Sequence, residues 1–280
     1  MSFSAPPDLY CVIGNPVAHS RSPAIHARFA ELTGERLVYE RCLLPIDGFA
    51  QGVRAFMARG GRGCNVTVPF KLEAAALATT RSERVQRAGA ANTLVFDGQA
   101  IHADNTDGLG LVADIERNAG VPLAGRDVLL VGAGGAAAGV LGPLLQAGVR
   151  HVTVANRTLA RAQALVQAHA DLAALQKAEL IALAPQALEA NFDIIINATA
   201  SSLAGEAVPV PAQVLRAGSL AYDMMYGPAA QGFLGWARQH GAVPRDGLGM
   251  LVEQAAEAFA LWRGIRPPSA QVLAELQATV

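Results

Sequence analysis

The stretch DVLLVGAGGAAAGVLGPLLQAGVRHVTVANRT, residues 127–158, constrains this chain more than any other. Val128-Leu129-Leu130-Val131 is an apolar run of strand length, suited to a strand buried on both faces of a parallel sheet. Gly132, Gly134 and Ala137 follow directly as G-x-G-x-x-A, and Val140, Leu141, Leu144 and Leu145 then recur at helical spacing. His151-Val152-Thr153-Val154-Ala155 reads as a second strand, so the stretch is a βαβ unit. In such a unit Gly132 permits the tight turn, Gly134 lets backbone amides approach a pyrophosphate, and Ala137 brings the helix close to the strand. Ala133, Gly135 and Ala136 complete the loop, where an anion meets unpaired N–H groups and the positive end of the helix dipole. Close packing of an Ala/Gly-rich helix is the plainer reading of the same residues.

The end of the second strand favours the dinucleotide. An NAD site usually places Asp or Glu there to accept hydrogen bonds from the ribose hydroxyls. This chain has Asn156-Arg157-Thr158, with Arg161 one turn further on. Two guanidinium groups and no acid suit a 2′-phosphate, so the expected cofactor is NADP. Thr158 can equally cap the next helix.

A chain of 280 residues has room for two ordinary domains. A net charge of −1 gives no electrostatic case for nucleic acid or for an acidic membrane surface. Cys11, Cys42 and Cys64 form no C-x-x-C and the histidines no i, i+4 pair, so neither a disulfide framework nor a metal is expected. The N-terminus lacks a basic segment followed by an apolar core, and the low-polarity stretch 127–149 is better explained as a strand and helix than as a membrane span. A cytoplasmic location is the default expectation. Of 22 basic residues only Lys71 and Lys177 are lysines. Where composition favours arginine so heavily, a remaining lysine is a candidate for work that needs a removable proton.

Before the fingerprint, Leu9 to Gly14 reads as a strand ending in an Asn15-Pro16 turn. Pro23 then suits the start of a helix running to about Leu32, which puts Ser20 and Ser22 at a helix N-terminus. One of them can cap; two hydroxyls with free amides also make a carboxylate site. Leu37 to Leu44 reads as a strand and Phe49 to Arg59 as a helix. In Asn65-Val66-Thr67-Val68-Pro69-Phe70-Lys71, alternation places Val66 and Val68 on one face, and Asn65 and Thr67 on the other. Lys71 falls in the first turn of the next helix, where the dipole opposes it, so it is poorly placed for stability alone. A strand entered through Asn92 leads to a hairpin with Asp97-Gly98 as its turn. Asp107 lies near the start of a helix, Leu109 to about Asn118, where a carboxylate is also a natural cap.

The segments VIGNPVAHSRSP, NVTVPFK, ANTL, DNTDG, VGAGGAAAG, NRT, NATASS, YDMMY and GLGMLVEQAA resemble, in order and spacing, those of the shikimate dehydrogenase family. The resemblance covers essentially the whole chain. It implies an α/β fold of two domains: an N-terminal α/β substrate domain completed by C-terminal helices (1–107 and 246–280), and a Rossmann NADP-binding domain (108–245). It implies reduction of 3-dehydroshikimate to shikimate with NADPH, in chorismate and aromatic amino-acid biosynthesis. By the same resemblance Ser20 and Ser22 bind the substrate carboxylate, while Asn65, Thr67, Asn92 and Asp107 meet its hydroxyls. Lys71 is the implied acid/base with Asp107 as partner, and Tyr226 and Gln254 are further substrate contacts. Glu83, Thr199 with the backbone through Ser202, Met224, Gly247 and Met250 are implied on the cofactor side. For Met224 and Tyr226 a core role is the commoner reading of the residue alone.

Hydride transfer to a ketone develops charge on oxygen that a proton donor must meet, and Lys71 can supply that proton. The expected partners are a small-molecule substrate and NADP, with no nucleic acid and no membrane, in a monomer or homodimer. The rivals are a quinate/shikimate dehydrogenase or a paralogue for a related cyclic hydroxy acid and, from another class, a non-catalytic NADPH-binding redox sensor.

Overall fold

The computed structural model describes residues 6–201 and 210–278. It divides into two compact units, one running through Thr106 and resuming at Val252, the other spanning Asp107–Leu251. Compared with the expected boundaries, Asp107 and residues 246–251 group with the second unit. The reason is local: Asp107 opens a helix that packs within that unit, and Gly247 lies against its Met224 backbone.

The first unit is built on six strands, β1 (Asp8–Gly14), β2 (Leu37–Leu43), β3 (Gly61–Val66), β4 (Thr80–Arg81), β5 (Thr93–Asp97) and β6 (Ala100–Asp104), in the order β2-β1-β3-β5-β6-β4. β1 pairs in parallel with β2 and β3, whereas β5 is antiparallel to β3 and β6. Cys11, Ile13, Cys64, Val66 and Leu94 point into one core with Phe49, Phe56 and Phe70. Tyr10, Val12 and Tyr39 face the other way, where Trp262 of the penultimate helix packs on them. That helix donates through Trp262 Nε1 to the Leu94 carbonyl at 3.1 Å, and Arg263 pairs with Asp8 and Glu35. The C-terminal helices therefore complete the first sheet, as expected.

Three local expectations need correction. β3 ends at Val66, so Val66 is buried while Val68 is 59% exposed and the two do not share a face. Once the chain leaves the pleat to reach Pro69, period-two alternation no longer applies. The hairpin turn is Gly98-Gln99, since Asp97 pairs with Ala100; Gly98, at φ 57°, supplies the positive φ a two-residue turn requires. Lys177 is exposed and closes a helix in the left-handed conformation, so of the two scarce lysines only Lys71 remains a candidate.

The second unit carries six parallel strands, β7 (Asp127–Val131), β8 (His151–Ala155), β9 (Glu179–Leu183), β10 (Ile194–Asn197), β11 (Leu220–Asp223) and β12 (Val243–Arg245), in the order β12-β11-β10-β7-β8-β9. Counted from β7 this is 3-2-1-4-5-6, the Rossmann order. Val128 and Leu130 enter one core and Leu129 and Val131 the opposite one, which is why the run carries no polar residue. No helix of the described residues is long and apolar enough to cross a membrane.

Candidate active site and cofactor site

In the first unit the candidate residues gather where β1 and β3 end. The two exits are zipped together: the Thr67 amide donates to the Ile13 carbonyl at 2.9 Å and the Asn15 amide to the Val68 carbonyl at 3.0 Å. Ser22 opens helix α1 (Ser22–Thr33), one residue ahead of Pro23, and is buried. The Ser20 hydroxyl accepts the Ser22 amide at 3.3 Å, so Ser20 performs part of the capping. Arg41 donates to the Ser20 carbonyl at 2.7 Å and brings a guanidinium beside the two serines.

Asn65 is held from both ends. Its Oδ1 accepts from the Tyr39 hydroxyl at 2.7 Å, and its Nδ2 donates to the Asn92 carbonyl at 3.2 Å and to Thr93 Oγ1 at 3.1 Å. The Asn92 Nδ2 donates to Gln254 Oε1 at 3.2 Å and to Thr106 Oγ1 at 3.0 Å, while its Oδ1 accepts the Thr106 amide at 2.8 Å. Asn65, Asn92 and Gln254 thus lie on one buried polar network, although Gln254 is 162 residues from Asn92. Thr67 sits beyond the end of β3, half-buried, with Gly14 so close that a Cβ there would lie 2.5 Å from Thr67 Cγ2. Lys71 is the first residue of helix α3 (Lys71–Leu77), half-buried, and its carbonyl accepts the Ala91 amide at 2.8 Å. That bond fixes the lysine backbone next to the Asn92 loop.

Sequence reasoning passed over Tyr39 and Thr106. Tyr39 is buried, burial holds its phenol neutral far above the usual tyrosine pKa, and Ser22 faces the same hydroxyl. It therefore bridges the serine pair to Asn65. His26 stacks on Tyr39 at 4.3 Å between rings, with burial lowering its pKa to about 3. A strand tyrosine looks like core in sequence; only its partner 26 residues away distinguishes it. Glu83 opens helix α4 (Glu83–Ala88), is largely exposed, and pairs with Arg87 at 3.1 Å.

In the second unit Asp107 is buried and is the first residue of α5 (Asp107–Ala113), two residues earlier than expected. The fingerprint has the anticipated geometry. Gly132 lies at φ 112°, and a Cβ there would press within 3.2 Å of the Ala198 backbone. Gly134 faces open space, while Ala137 is wholly buried under the helix. Helix α6 (Gly135–Gln146) starts without a side-chain cap or an acid in its first turn, which leaves the Gly135 and Ala136 amides for an anion. Arg157 and Arg161 are exposed, with no carboxylate partner among the described residues. Thr158 stands at the N-cap of helix α7 (Leu159–Ala168), but its side chain makes no capping bond. Instead Asn156 Nδ2 donates to the Thr158 carbonyl at 2.8 Å, shaping the turn from the main chain. These residues fit a dinucleotide 2′-phosphate.

The far rim is tied together at the ends of β10 and β11. Thr199 Oγ1 donates to Asn197 Oδ1 at 2.7 Å, Asn197 Nδ2 to Asp223 Oδ2 at 3.3 Å, and the Met225 amide to Asp223 Oδ1 at 2.9 Å. Half-buried Met224 is held between these anchors, and the Gly247 amide donates to the Met225 carbonyl at 2.9 Å. Tyr226, half-buried, precedes a short 3-10 turn, and Met250 packs in the core with Tyr222. Ser202 lies outside the described residues. No group of three His, Cys, Asp or Glu residues placed to hold a metal occurs among the described residues.

Three family models match in succession: a shikimate dehydrogenase substrate binding domain over residues 12–94, a shikimate / quinate 5-dehydrogenase over 115–205, and a shikimate 5′-dehydrogenase C-terminal domain over 247–277. The shikimate dehydrogenase (NADP(+)) of Acidovorax sp. (strain JS42) is 76% identical over 278 residues, 99% of each chain. Among solved structures, an Ael1 enzyme from Pseudomonas putida is 47% identical with a TM-score of 0.88, covering 96% of this chain and 98% of that one. The shikimate 5-dehydrogenase of Thermus thermophilus, solved with NADP(H) and shikimate, is 32% identical with a TM-score of 0.84, covering 98% of this chain and all of its own. Identity of this extent over the full length leaves one conclusion: the chain belongs to the shikimate dehydrogenase family.

Proposed function

We propose that this chain catalyses the reversible, NADPH-dependent reduction of 3-dehydroshikimate to shikimate, in the pathway to chorismate and the aromatic amino acids. The observation that carries the reading is the buried network of Asn65, Asn92 and Gln254, with Tyr39 leading from it to Ser22. A surface that needed polarity only for solubility would not bury amides that can still turn to a ligand's hydroxyls.

Ser20 and Ser22 receive the substrate carboxylate, assisted by the positive charge of Arg41. Asn65, Thr67, Asn92 and Asp107 receive the ring hydroxyls, with Tyr226 and Gln254 completing the contacts. Lys71 donates a proton to the ketone oxygen as charge develops there, and takes one back in the reverse direction. Asp107 is assigned as the acid/base partner of Lys71, and its place at the N-terminus of α5 suits a carboxylate. When bound, NADPH supplies the hydride. Gly132, Ala133, Gly134, Gly135 and Ala136 hold its pyrophosphate, and Asn156, Arg157, Thr158 and Arg161 its 2′-phosphate. Thr199, Met224, Gly247 and Met250 are assigned to the nicotinamide side, and Glu83 to the edge of the cofactor site.

A cytoplasmic location goes with this biosynthetic reading. The test is a panel of shikimate, quinate and simpler cyclic hydroxy acids, each with NADP and NAD, followed by nicotinamide absorbance. Turnover of shikimate with NADP at the highest kcat/KM is expected. Preference for quinate would move the assignment to the quinate/shikimate reading, and no turnover at all to the redox sensor. Light scattering of the same preparation distinguishes monomer from homodimer.

A further inference from the structure

The second unit contains a buried ionic cluster that the proposed reaction leaves unused. Helix α5 does not end as an α-helix: it continues as a π-helical turn, Asp114–Asn118. Such a widened turn redirects a side chain and recurs at functional positions. Here the redirected side chain is Asp114, which is wholly buried. Its carboxylate accepts from the Tyr222 hydroxyl at 2.7 Å, from Arg245 Nε at 2.8 Å and Nη2 at 2.6 Å, and from Asn118 Nδ2 at 2.9 Å. A two-pronged Arg–carboxylate pair fixes orientation as well as charge. Buried ion pairs add little stability over well-packed apolar groups of the same volume, so stability is a weak reason for this one.

The neighbours of the cluster suggest a stronger reason. Gly249 lies so close that a Cβ there would fall 1.8 Å from Asp114 Oδ1. The Met250 amide is directed at the Tyr222 hydroxyl, whose hydrogen goes to Asp114. The first turn of helix α10 (Leu248–Arg263; among the described residues, the tenth α-helix) is thus attached to α5 by packing at Gly249 and through one phenol at Met250. The opposite side of that turn is attached as well. Gly247 donates to the Met225 carbonyl, and Asp246 accepts the Leu248 amide and the Gly227 amide, each at 3.2 Å. Met224, Gly247 and Met250 therefore move as one block, and Asp114 ties that block to the helix that begins at Asp107. Residues 108–113 carry the tie over less than two turns of helix, too short a span to absorb much displacement.

We propose that Asp114, acting through Tyr222 and Arg245, is a positioning residue for hydride transfer, holding Gly247–Met250 and the nicotinamide they contact in register with the helix that carries Asp107. The proposal rests on the assignment of Gly247 and Met250 to the nicotinamide side. Asp114 itself touches neither substrate nor cofactor.

The test uses Asp114→Asn and Tyr222→Phe in the full-length protein. Asn keeps the volume of Asp but removes the charge that matches Arg245, and Phe deletes one oxygen. The first measurement needs no substrate: affinity for NADPH, together with emission and anisotropy of its nicotinamide. Affinity should hold, because the phosphate contacts are untouched, whereas nicotinamide anisotropy should fall. The second is shikimate oxidation with NADP. Here kcat should fall by about 10- to 100-fold, the scale expected for a misplacement of order 1 Å, with the KM for shikimate unchanged. The deuterium isotope effect from shikimate labelled at the reacting carbon should rise as hydride transfer becomes limiting. Variants that melt earlier yet keep wild-type nicotinamide anisotropy and kcat would overturn the proposal and leave Asp114 a structural residue. If wild-type protein turned over no shikimate while both variants loosened the nicotinamide, the assigned reaction would fail and the positioning role would stand. Should Asp114→Asn not fold, Tyr222→Phe gives the same two readouts, and unchanged values from it alone overturn the proposal.

Discussion

Lys71 and His26 show how one side chain's surroundings set what a substitution does. Lys71 begins α3, and its backbone is held by the Ala91 amide whatever side chain it carries. Lys71→Arg should therefore keep the fold and the positive charge. A guanidinium stays protonated at any useful pH and cannot cycle as acid and base, so kcat is expected to fall by about 10² to 10⁴. The KM for shikimate should move much less, because the serine and amide contacts remain. An Arg variant retaining most of kcat would reduce Lys71 to a charge anchor. His26 is the converse case, a titratable group with no catalytic part. It is stacked on Tyr39 and lies edge-on to Phe29, in an enclosure that desolvates both ring nitrogens. Burial lowers its pKa to about 3. A depressed pKa means the unfolded chain binds the proton first as pH falls below about 6.5, so stability is present above that value and is lost down towards pH 3. His26→Phe fits the aromatic surroundings and removes that loss, worth about 2 kcal/mol between pH 6.5 and 4.5. Melting curves of both proteins across this range should diverge towards acid. Parallel curves would mean that His26 is reached by water or by a proton acceptor in the folded chain.

At the scale of elements, α5 and α6 pack closely within the second unit. Pro143 has no N–H for the Gly139 carbonyl, and Gly108 sits against both: a Cβ there would fall 2.4 Å from Pro143 Cγ and 2.6 Å from that oxygen. Gly108→Ala must separate the two helices, at a cost of about 1–3 kcal/mol for an overpacked contact. Because α5 begins with Asp107 and α6 with the phosphate loop, kcat and NADPH affinity should both fall, and Pro143→Ala should rescue only part of each. A variant that lost stability alone, measured by thermal melting beside NADPH titration, would uncouple the helices from the site. Elements of this kind were largely legible in the sequence. Strand, turn and helix of the fingerprint follow from local rules acting over a few residues, as does the placement of Lys71 after Pro69. The errors came where a local rule stopped applying: alternation carried past Val66 to Val68, and a turn placed one residue early at Asp97. What stayed hidden depends on distance along the chain. Tyr39 looks like any strand aromatic until Asn65 meets it, and Asp114 is one more helix acid until Arg245, 131 residues later, closes on it.

For the whole molecule, the consequential feature is that the chain leaves the first unit at Thr106 and returns to it at Val252. The returning segment supplies structure and site together. Gln254 joins the Asn92 network, and one turn later Phe259 is wholly buried, with its ring 5.7 Å from Phe29 and 6.2 Å from His26. Phe259→Ala removes a fully enclosed ring and should cost about 3–5 kcal/mol, the range for large-to-small changes at sealed aromatic positions. The loss falls within the first unit, since Phe29, His26, Tyr39 and Trp262 all belong to it. Binding of shikimate should weaken, because Gln254 rides on the same helix less than two turns away. Binding of NADPH should not, because the phosphate loop and the residues after β8 lie in the second unit. Calorimetric titration of each ligand, at a temperature where circular dichroism shows the variant folded, separates the outcomes. Equal weakening of both ligands would show that the two units share their stability, and that the return of the chain serves cohesion rather than the substrate site alone.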